Sequence, residues 1–284
     1  MFVIIGFGII CGAMIAGFTM AGGKVGQLFH LSEVISIFGM MIGCFILMAP
    51  IKVIKGIISQ LLGTLKGAPY SSDDFEELLK CMYELFLLGR RGGMIALEEH
   101  VMNPEASTLF QKYPKFHANH HAVEFLCDGL KPIVDGRIKP DQLPALMNSS
   151  LHTLEEEHHA PIHVLRGVGD SMPAFGIVAA VLGIVITMGK IGGDTAKVGA
   201  SIAAALTGTF MGIFAAYGAI GPIAMNAEFN GHAEMAYMKC IKAAVISFAN
   251  GLPPLVACEV GRRVLEEDVR PTSADLETTL KTLK

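Results

Sequence analysis

Four long stretches of this 284-residue chain contain no Asp, Glu, Lys or Arg. Each is near or above the roughly 18 residues that indicate a membrane-spanning helix. Only 17% of all residues are charged, whereas about 25% is usual in soluble domains. Four such stretches are hard to bury together in one soluble core, so a four-helix integral membrane protein is predicted. The stretches run from Met1 to Gly23, Val34 to Ile51, Ser171 to Gly189 and Val198 to Ala227, and they are called spans one to four.

Span three is the most distinctive of the four. It opens on Pro173 beside Asp170, and small residues follow along it at helical spacing. Small faces let another helix approach closely in lipid, so a pore-facing helix is predicted. Pro173 suits either the first turn of that helix or a kink, if the helix begins earlier. The small residues are Ala174, Gly176, Ala179, Ala180 and Gly183.

The basic residues indicate how the chain is oriented. The segment between spans two and three holds twelve Lys and Arg, the tail after span four holds seven, and the two short hairpins hold Lys24, Lys190 and Lys197. Because Lys and Arg accumulate on the cytoplasmic side, the long segment and the tail are predicted to be cytoplasmic. No basic residue precedes the first apolar run, so span one is interpreted as a retained helix rather than a secretory signal.

These features predict four parts of an all-α fold. Residues 1–54 hold transmembrane helices 1 and 2, and residues 55–168 form a helical cytoplasmic domain. Residues 169–227 hold transmembrane helices 3 and 4, and residues 228–284 form a helical cytoplasmic tail. Gly221-Pro222 predicts a break near the cytoplasmic end of span four, and the polar end from Arg270 suggests disorder.

The cytoplasmic segment begins with an amphipathic stretch, Ile51 to Lys66. It is compatible with a helix lying along the anionic leaflet or with one packed as a helical extension. Gly67-Ala-Pro69 predicts its end. Ser72, followed by Asp73 and Asp74, predicts the start of the next helix.

No Asp, Glu, Lys, Arg or His lies near the middle of any span so drawn, and Glu33 falls in the hairpin before span two. Ionisable groups inside a membrane mark ion pathways. An ion-conducting machine would therefore take its titrating carboxylate from another subunit, whereas a structural scaffold would conduct nothing. Thr207 is expected to bond back to its own helix, and Thr209 lies on the small-residue face.

The other reactive residue types give weaker signals. His117, His120 and His121 form one cluster, and His158 to His163 form another; His159 and His163 have a spacing that zinc sites use, but Pro161 lies between them. Surface histidines are the preferred interpretation, and no metal or cofactor is predicted. The six cysteines show no CxxC motif and are interpreted as apolar fillers. No catalytic motif is present, so an enzyme is not predicted, and the net charge of −4 gives no reason to expect nucleic acid binding.

Arg90 and Glu98 lie eight residues apart in the cytoplasmic segment, as do Arg91 and Glu99. Eight residues are about two helical turns, so both charges of a pair are able to face one partner. From these residues alone, an ordinary solvated helix face is the preferred interpretation.

The span layout, Met172-Pro173-Ala-Phe-Gly in span three, the run from Gly208-Thr209 to Gly221-Pro222 in span four, and Arg90 with Glu98 resemble the MotA/TolQ/ExbB proton channel family. Within it, the resemblance is to the MotA proteins, stator subunits of the bacterial flagellar motor. It implies a bacterial inner-membrane protein, with five copies surrounding two MotB subunits that carry the ion-binding aspartate.

The same resemblance implies roles for individual residues. Pro173 and Pro222 would couple ion passage to movement of the cytoplasmic domain. Arg90 and Glu98 would meet oppositely charged residues of FliG, the rotor's switch-complex protein, and the Arg91 and Glu99 spacing leaves a one-residue shift open.

The resemblance also bears on the coupling ion. Sodium-driven relatives carry a threonine seven residues after the span-three proline, where this chain has Ala180. Protons are therefore the expected coupling ion, and Thr209, present in both types, does not discriminate. The alternative function is a TolQ/ExbB-like energiser of outer-membrane transport, which usually has three spans.

Overall fold

The computed structural model describes residues 2–66, 70–192 and 194–283. Within these ranges the chain is helical and contains no strand, which confirms the all-α prediction. The helices are α1 (Phe2–Met20), α2 (Leu31–Met48), α3 (Ile51–Lys66), α4 (Ser72–Gly92), α5 (Ile95–Met102), α6 (Pro114–His117), α7 (His120–Val134), α8 (Leu143–Met188), α9 (Thr195–Ile213), α10 (Gly221–Ala249), α11 (Pro254–Arg262) and α12 (Ser273–Thr282).

Four helical stretches are long and apolar enough to cross a membrane, as predicted. In α1 no residue is buried, and its Phe2 is more than four-fifths exposed. Leu47 of α2 is also more than four-fifths exposed. Exposure of so much apolar surface is unfavourable in water and suits lipid or other membrane helices. The four stretches are Phe2–Met20, Val25–Met48, Leu143–Met188 and Thr195–Ala249.

The chain divides into two compact units. The first unit comprises Met1–Gly67 and His158–Asn230, and the second unit comprises Ala68–Glu157 and Gly231–Lys284. Helices α8 and α10 contribute residues to both.

The second unit is built on a large apolar core. Phe75, Leu79 and Leu126 are fully buried, and the rings of Phe86 and Phe248 stack with their centroids 4.4 Å apart. Four of the six cysteines are buried there, and all six are free thiols. Burial raises the pKa of the Cys240 thiol to about 12, so these cysteines are unreactive core residues, as the sequence suggested.

Local signals explain where α4 begins and ends. Its N-cap is Ser71, whose backbone N–H donates to the Asp74 carboxylate in a capping box. Its C-terminal neighbour is Gly93 with φ +73°, a conformation that favours glycine. The predicted end of α3 at Gly67-Ala-Pro69 lies outside the described residues.

Two sequence predictions about chain breaks are wrong. The polar end is not disordered: α12 forms there because Thr272 caps its N-terminus and Leu276 and Leu280 are buried. Helix continues past Gly221-Pro222 as well. A π-helical segment, Phe214–Ile220, joins α9 to α10, and the Gly221 N–H donates to the Ala216 carbonyl five residues back.

The amphipathic helix α3 packs within the first unit. A Cβ on Gly56 would lie 3.0 Å from the Pro161 side chain, and Gln60 Nε2 donates to the His158 carbonyl at 3.1 Å. Ile57 is buried beside Leu165. These contacts with α8 favour the packed helical extension over a helix that only lies on the leaflet.

Candidate functional site

Helices α8 and α9 touch backbone to backbone. A Cβ added to Gly212 would lie 2.6 Å from the Met172 carbonyl oxygen, and one added to Gly176 would lie 2.9 Å from the Gly208 carbonyl oxygen. Real Cβ atoms essentially never approach so closely, so the crossing requires glycine. The small-residue face predicted for span three is therefore a helix–helix contact.

Ala180 and Thr209, the residues assigned to the ion pathway, lie beside this crossing. The Ala180 backbone nitrogen is 3.7 Å from a Cβ placed on Gly208, and the Thr209 Cα is 3.2 Å from one placed on Gly176. Ala180 is buried and Thr209 is half-buried. Ala180 on α8 and Thr209 on α9 therefore lie on neighbouring helical turns at the place where the two helices cross.

The hydroxyls of the two neighbouring threonines are used differently. Thr207 Oγ1 lies 2.9 Å from the Ala203 carbonyl, the backbone bond that the sequence suggested. Thr187 donates to the Gly183 carbonyl at 2.8 Å in the same way. The Thr209 hydroxyl forms no hydrogen bond with any described residue, so it is available to a ligand or water.

The two prolines lie on packed segments. Pro173 is half-buried and in the interior of the 46-residue helix α8, so the helix begins earlier and the first-turn alternative is excluded. Pro222 is exposed in the first turn of α10, directly after the π-helical segment. A Cβ on Gly169 would lie 2.8 Å from Ile220, so the turns next to the prolines are in contact. Arg166 also donates to Glu228, one on each proline-bearing helix.

Glu33 is a candidate that the sequence analysis misplaced. It lies in the first turn of α2 rather than in a hairpin, and its side chain is only 7% exposed. Its Oε2 atom lies 3.2 Å from a Cβ placed on Gly208. Thr195 is the first residue of α9. At 1.5 Å per residue, Gly208 lies about 20 Å along the helix axis from it, so Glu33 is beside the interior of α9 and not its end.

A buried ionisable group therefore lies within a stretch that is able to span the membrane, outside the bounds predicted for span two. If span two is taken to begin directly after the last charged residue, Glu33 falls in the loop before it. The signal that points the other way is an acidic residue directly before an apolar run, as in the first turn of many helices.

Arg90 and Glu98 lie at adjacent helix ends in the second unit. Arg90 is in the last turn of α4 and Glu98 in the first turn of α5, where the helix dipoles favour these charges. A Cβ on Gly89 would lie 3.0 Å from the buried Leu97. The residues directly before Arg90 and Glu98 are therefore in contact, and α4 packs against α5 at this point. Both charged side chains are exposed and form no ion pair or hydrogen bond within the described ranges.

Arg91 has a different environment. It lines a groove of about 460 Å³ together with Glu84 and Lys112, which form an ion pair at 3.1 Å. Arg90 does not line this groove, so the two neighbouring arginines are not equivalent.

The histidines form no site. In the described part of the chain no group of three His, Cys, Asp or Glu side chains is arranged to hold a metal. His159 and His163 are exposed on α8, and His120 Nδ1 lies 3.3 Å from Glu105.

Comparisons with known proteins agree with this architecture. Residues 4–93 match the family model for the N-terminal part of motility protein A, and residues 117–238 match the MotA/TolQ/ExbB proton channel family. Motility protein A of Escherichia coli is 36% identical over 284 residues, which is 100% of this chain and 96% of that protein. Motility protein A of Salmonella typhimurium is 34% identical over the same shares.

Two solved structures have the same fold. The structure of C. jejuni MotAB matches with a TM-score of 0.77 and 23% identity, covering 94% of this chain and 96% of that one. The Bacillus subtilis flagellar MotAB stator complex matches with a TM-score of 0.73 and 22% identity, covering 97% and 98%.

Residues 117–238 place the chain in the MotA/TolQ/ExbB proton channel family, and its four helical stretches are long and apolar enough to cross a membrane. Within that class the chain belongs to the motility protein A family, as a multi-pass membrane protein. The family resemblance seen in the sequence is confirmed.

Proposed function

We propose that the chain couples proton flow across the bacterial inner membrane to torque on the rotor, together with a MotB-like subunit whose single helix carries an ion-binding aspartate. The observation that carries this proposal is the α8–α9 crossing, where Thr209 holds a free hydroxyl beside Ala180. The long segment and the tail are cytoplasmic in this proposal, in line with the distribution of Lys and Arg. The two matched solved structures are MotAB structures, which supports such a partner.

The side chains at the crossing favour protons over sodium. Hard cations are held by several oxygen ligands. Ala180 offers only a methyl group, and the oxygens of the Thr209 hydroxyl and the Glu33 carboxylate are too few for a full coordination shell. A proton carried by water needs no such cage, so the coupling ion is the proton.

The two prolines supply a place where the helices are able to rearrange. Pro173 has no N–H to donate within α8, and the π-helical segment next to Pro222 already departs from α-helical bonding. Each proton that crosses releases about 2.3 kcal/mol per 100 mV. Protonation of the partner's aspartate would shift these turns and thereby move the cytoplasmic part.

The remaining surfaces fit the assembly. Arg90 and Glu98 are exposed charges on a rigid pair of helices, which suits binding to oppositely charged residues of FliG. The exposed apolar residues of α8, among them Ile184 and Val185, suit lipid, the partner helix and neighbouring copies in a pentamer around two partner chains.

The test is the internal pH of cells that express the chain with its partner, with and without the partner's aspartate. Acidification that requires the aspartate is expected. An aspartate-dependent rise in internal sodium instead would overturn the choice of ion. No change of either ion would overturn the channel proposal and leave a scaffold.

The coupling role has a separate test in Pro173→Ala. The variant complex is expected to assemble and reach the membrane at normal levels while rotation stops. Loss of the complex from the membrane would contradict the coupling role, because Pro173 would then be needed for folding.

A further inference from the structure

Glu33 is a buried acidic side chain to which the proposed function assigns no role. It is more than nine-tenths buried in a stretch that is long and apolar enough to span a membrane. Its Oε2 atom faces Gly208, next in sequence to Thr209, and Gly208 also lies against Ala179 and Ala180. Glu33 is therefore placed at the α8–α9 crossing, from the α2 side.

The carboxylate keeps unused hydrogen-bonding capacity. Ser32 Oγ donates to Glu33 Oε1 at 3.2 Å, and Oε2 accepts no hydrogen bond from the described residues. His30, the N-cap residue of α2 and one turn before Glu33, has a buried Nδ1 atom that likewise lacks a partner. Buried polar atoms normally have partners, and bound water is the usual one where protein groups are missing.

Few other charges are near. Spans three and four, which supply the facing residues of α8 and α9, contain no Asp, Glu, Lys, Arg or His. Lys190, Asp194 and Lys197 lie at the far ends of those helices, ten or more residues from Ala180 and Gly208. On the side of α2 itself the titratable groups are His30 and Lys24, and Glu33 forms no ion pair with any described residue.

Glu33 lies in the first turn of α2, where the helix dipole and the free backbone N–H groups favour an acidic side chain. Its carboxyl group is able to carry a proton and is placed beside the crossing, which is the geometry that a proton relay requires.

We propose that Glu33 is a proton-binding site of this chain and relays protons to the partner's aspartate through water beside the α8–α9 crossing; the inference rests on the proposed function. The chemistry is proton transfer alone. A hydrated proton adds to Glu33 Oε2 and gives the neutral acid. The same proton then leaves through water to the partner's carboxylate, which becomes neutral, and Glu33 returns to the carboxylate.

The experiment measures internal acidification per assembled complex, with the full chain and its partner, across external pH from about 4 to about 8, which includes the ordinary pKa values of glutamate and imidazole groups. Glu33→Gln keeps the size and hydrogen bonding but holds no exchangeable acid proton. Its flux is expected to fall by about a hundredfold, the usual scale for loss of a proton-transfer group. Glu33→Asp is expected to restore most of the flux with an altered pH dependence.

Ser32→Ala is the matched control, because it removes only the hydroxyl bonded to Oε1 and should leave the pH profile in place. Normal flux and pH profile in Glu33→Gln would overturn the relay and leave Glu33 as a helix-capping residue. If Glu33→Gln fails to accumulate, Glu33→Asp decides: an unaltered pH dependence overturns the relay. Flux that persists without the partner's aspartate would instead contradict the proposed function.

Discussion

The two units are stabilised in different ways. Among the largest fully buried side chains of the described residues, only Ile37 belongs to the first unit, whereas the second unit buries four phenylalanines. The first unit has small residues at its tightest contacts, such as Gly176 against Gly208. Its large apolar side chains point outward, with Ile46 and Leu206 about two-thirds exposed.

This difference indicates what each unit needs in order to be stable. The second unit buries its apolar surface within itself, which is the main favourable term in folding in water. The first unit gains little from that term, since lipid is as apolar as its side chains, and depends on close backbone packing. Substitutions should therefore act through lost core volume in one unit and through steric conflict in the other.

The largest effect is expected from Phe86→Ala in the second unit. Phe86 is fully buried and stacks on Phe248, so its truncation should lower the free energy of unfolding by about 3–5 kcal/mol. Thermal unfolding of the purified complex measures this. Leu88→Ala, at a residue that is 37% exposed on the same helix, is the control and should cost much less. Equal losses would contradict the core assignment.

A steric substitution tests the first unit. Gly212→Ala places a methyl group 2.6 Å from the Met172 carbonyl oxygen, and the strain should cost about 1–3 kcal/mol. Resistance of the membrane complex to detergent unfolding is the measurement, with swimming as a second readout. Gly8→Ala is the matched control, since a Cβ there meets nothing within 4 Å. Similar losses in both variants would mean that glycine flexibility, and not the crossing, is what matters.

An ion pair on α11 predicts a pH dependence of the second unit. Bidentate hydrogen bonds from Arg262, both 2.7 Å, lower the pKa of Glu259 from 4.5 to about 2. Because the folded-state pKa is depressed, the stabilisation is complete above pH 4.5 and is lost as the pH falls toward 2.

Glu259→Gln should therefore lower the free energy of unfolding by about 1–2 kcal/mol at neutral pH. The gap to the wild type should close as the pH falls below 4.5. Thermal unfolding at a series of pH values checks this, with the exposed Glu266→Gln as control. A gap that is independent of pH would show that the charge of Glu259 is not the cause.

The smallest effect on stability is expected at the exposed charges. Arg90→Ala and Glu98→Ala should change the free energy of unfolding by at most about 0.5 kcal/mol, because both side chains are exposed and neither has a partner among the residues that the structure describes. Swimming speed should nevertheless fall, since the proposed rotor contact is lost. Unfolding that parallels the loss of swimming would assign these residues to the fold, and Arg91→Ala tests the one-residue shift.

The number of membrane spans is predictable from the sequence, because it depends on the free-energy cost of placing charge in lipid. The contacts between the helices are not, because they depend on the direction in which each side chain points around its helix axis. Four charge-free stretches identify four spans because charged side chains are excluded there. A helix is expected from Pro140, but its unbroken continuation from Leu143 into span three is not visible, since the polar first half of α8 has no long apolar run. The position of Glu33 beside Gly208 follows from which side of α2 Glu33 faces, and composition does not give that angle.

The π-helical segment Phe214–Ile220 has a geometric consequence for span four. An α-helical residue turns the chain by about 100°, and hydrogen bonds to the fifth residue back make room for extra residues within a turn. The segment thus resets the angular phase of the helix. Because of this offset, the row of small residues on α9 does not continue as a straight stripe into α10, and Pro222 is aimed differently from a proline at the same position in an unbroken α-helix.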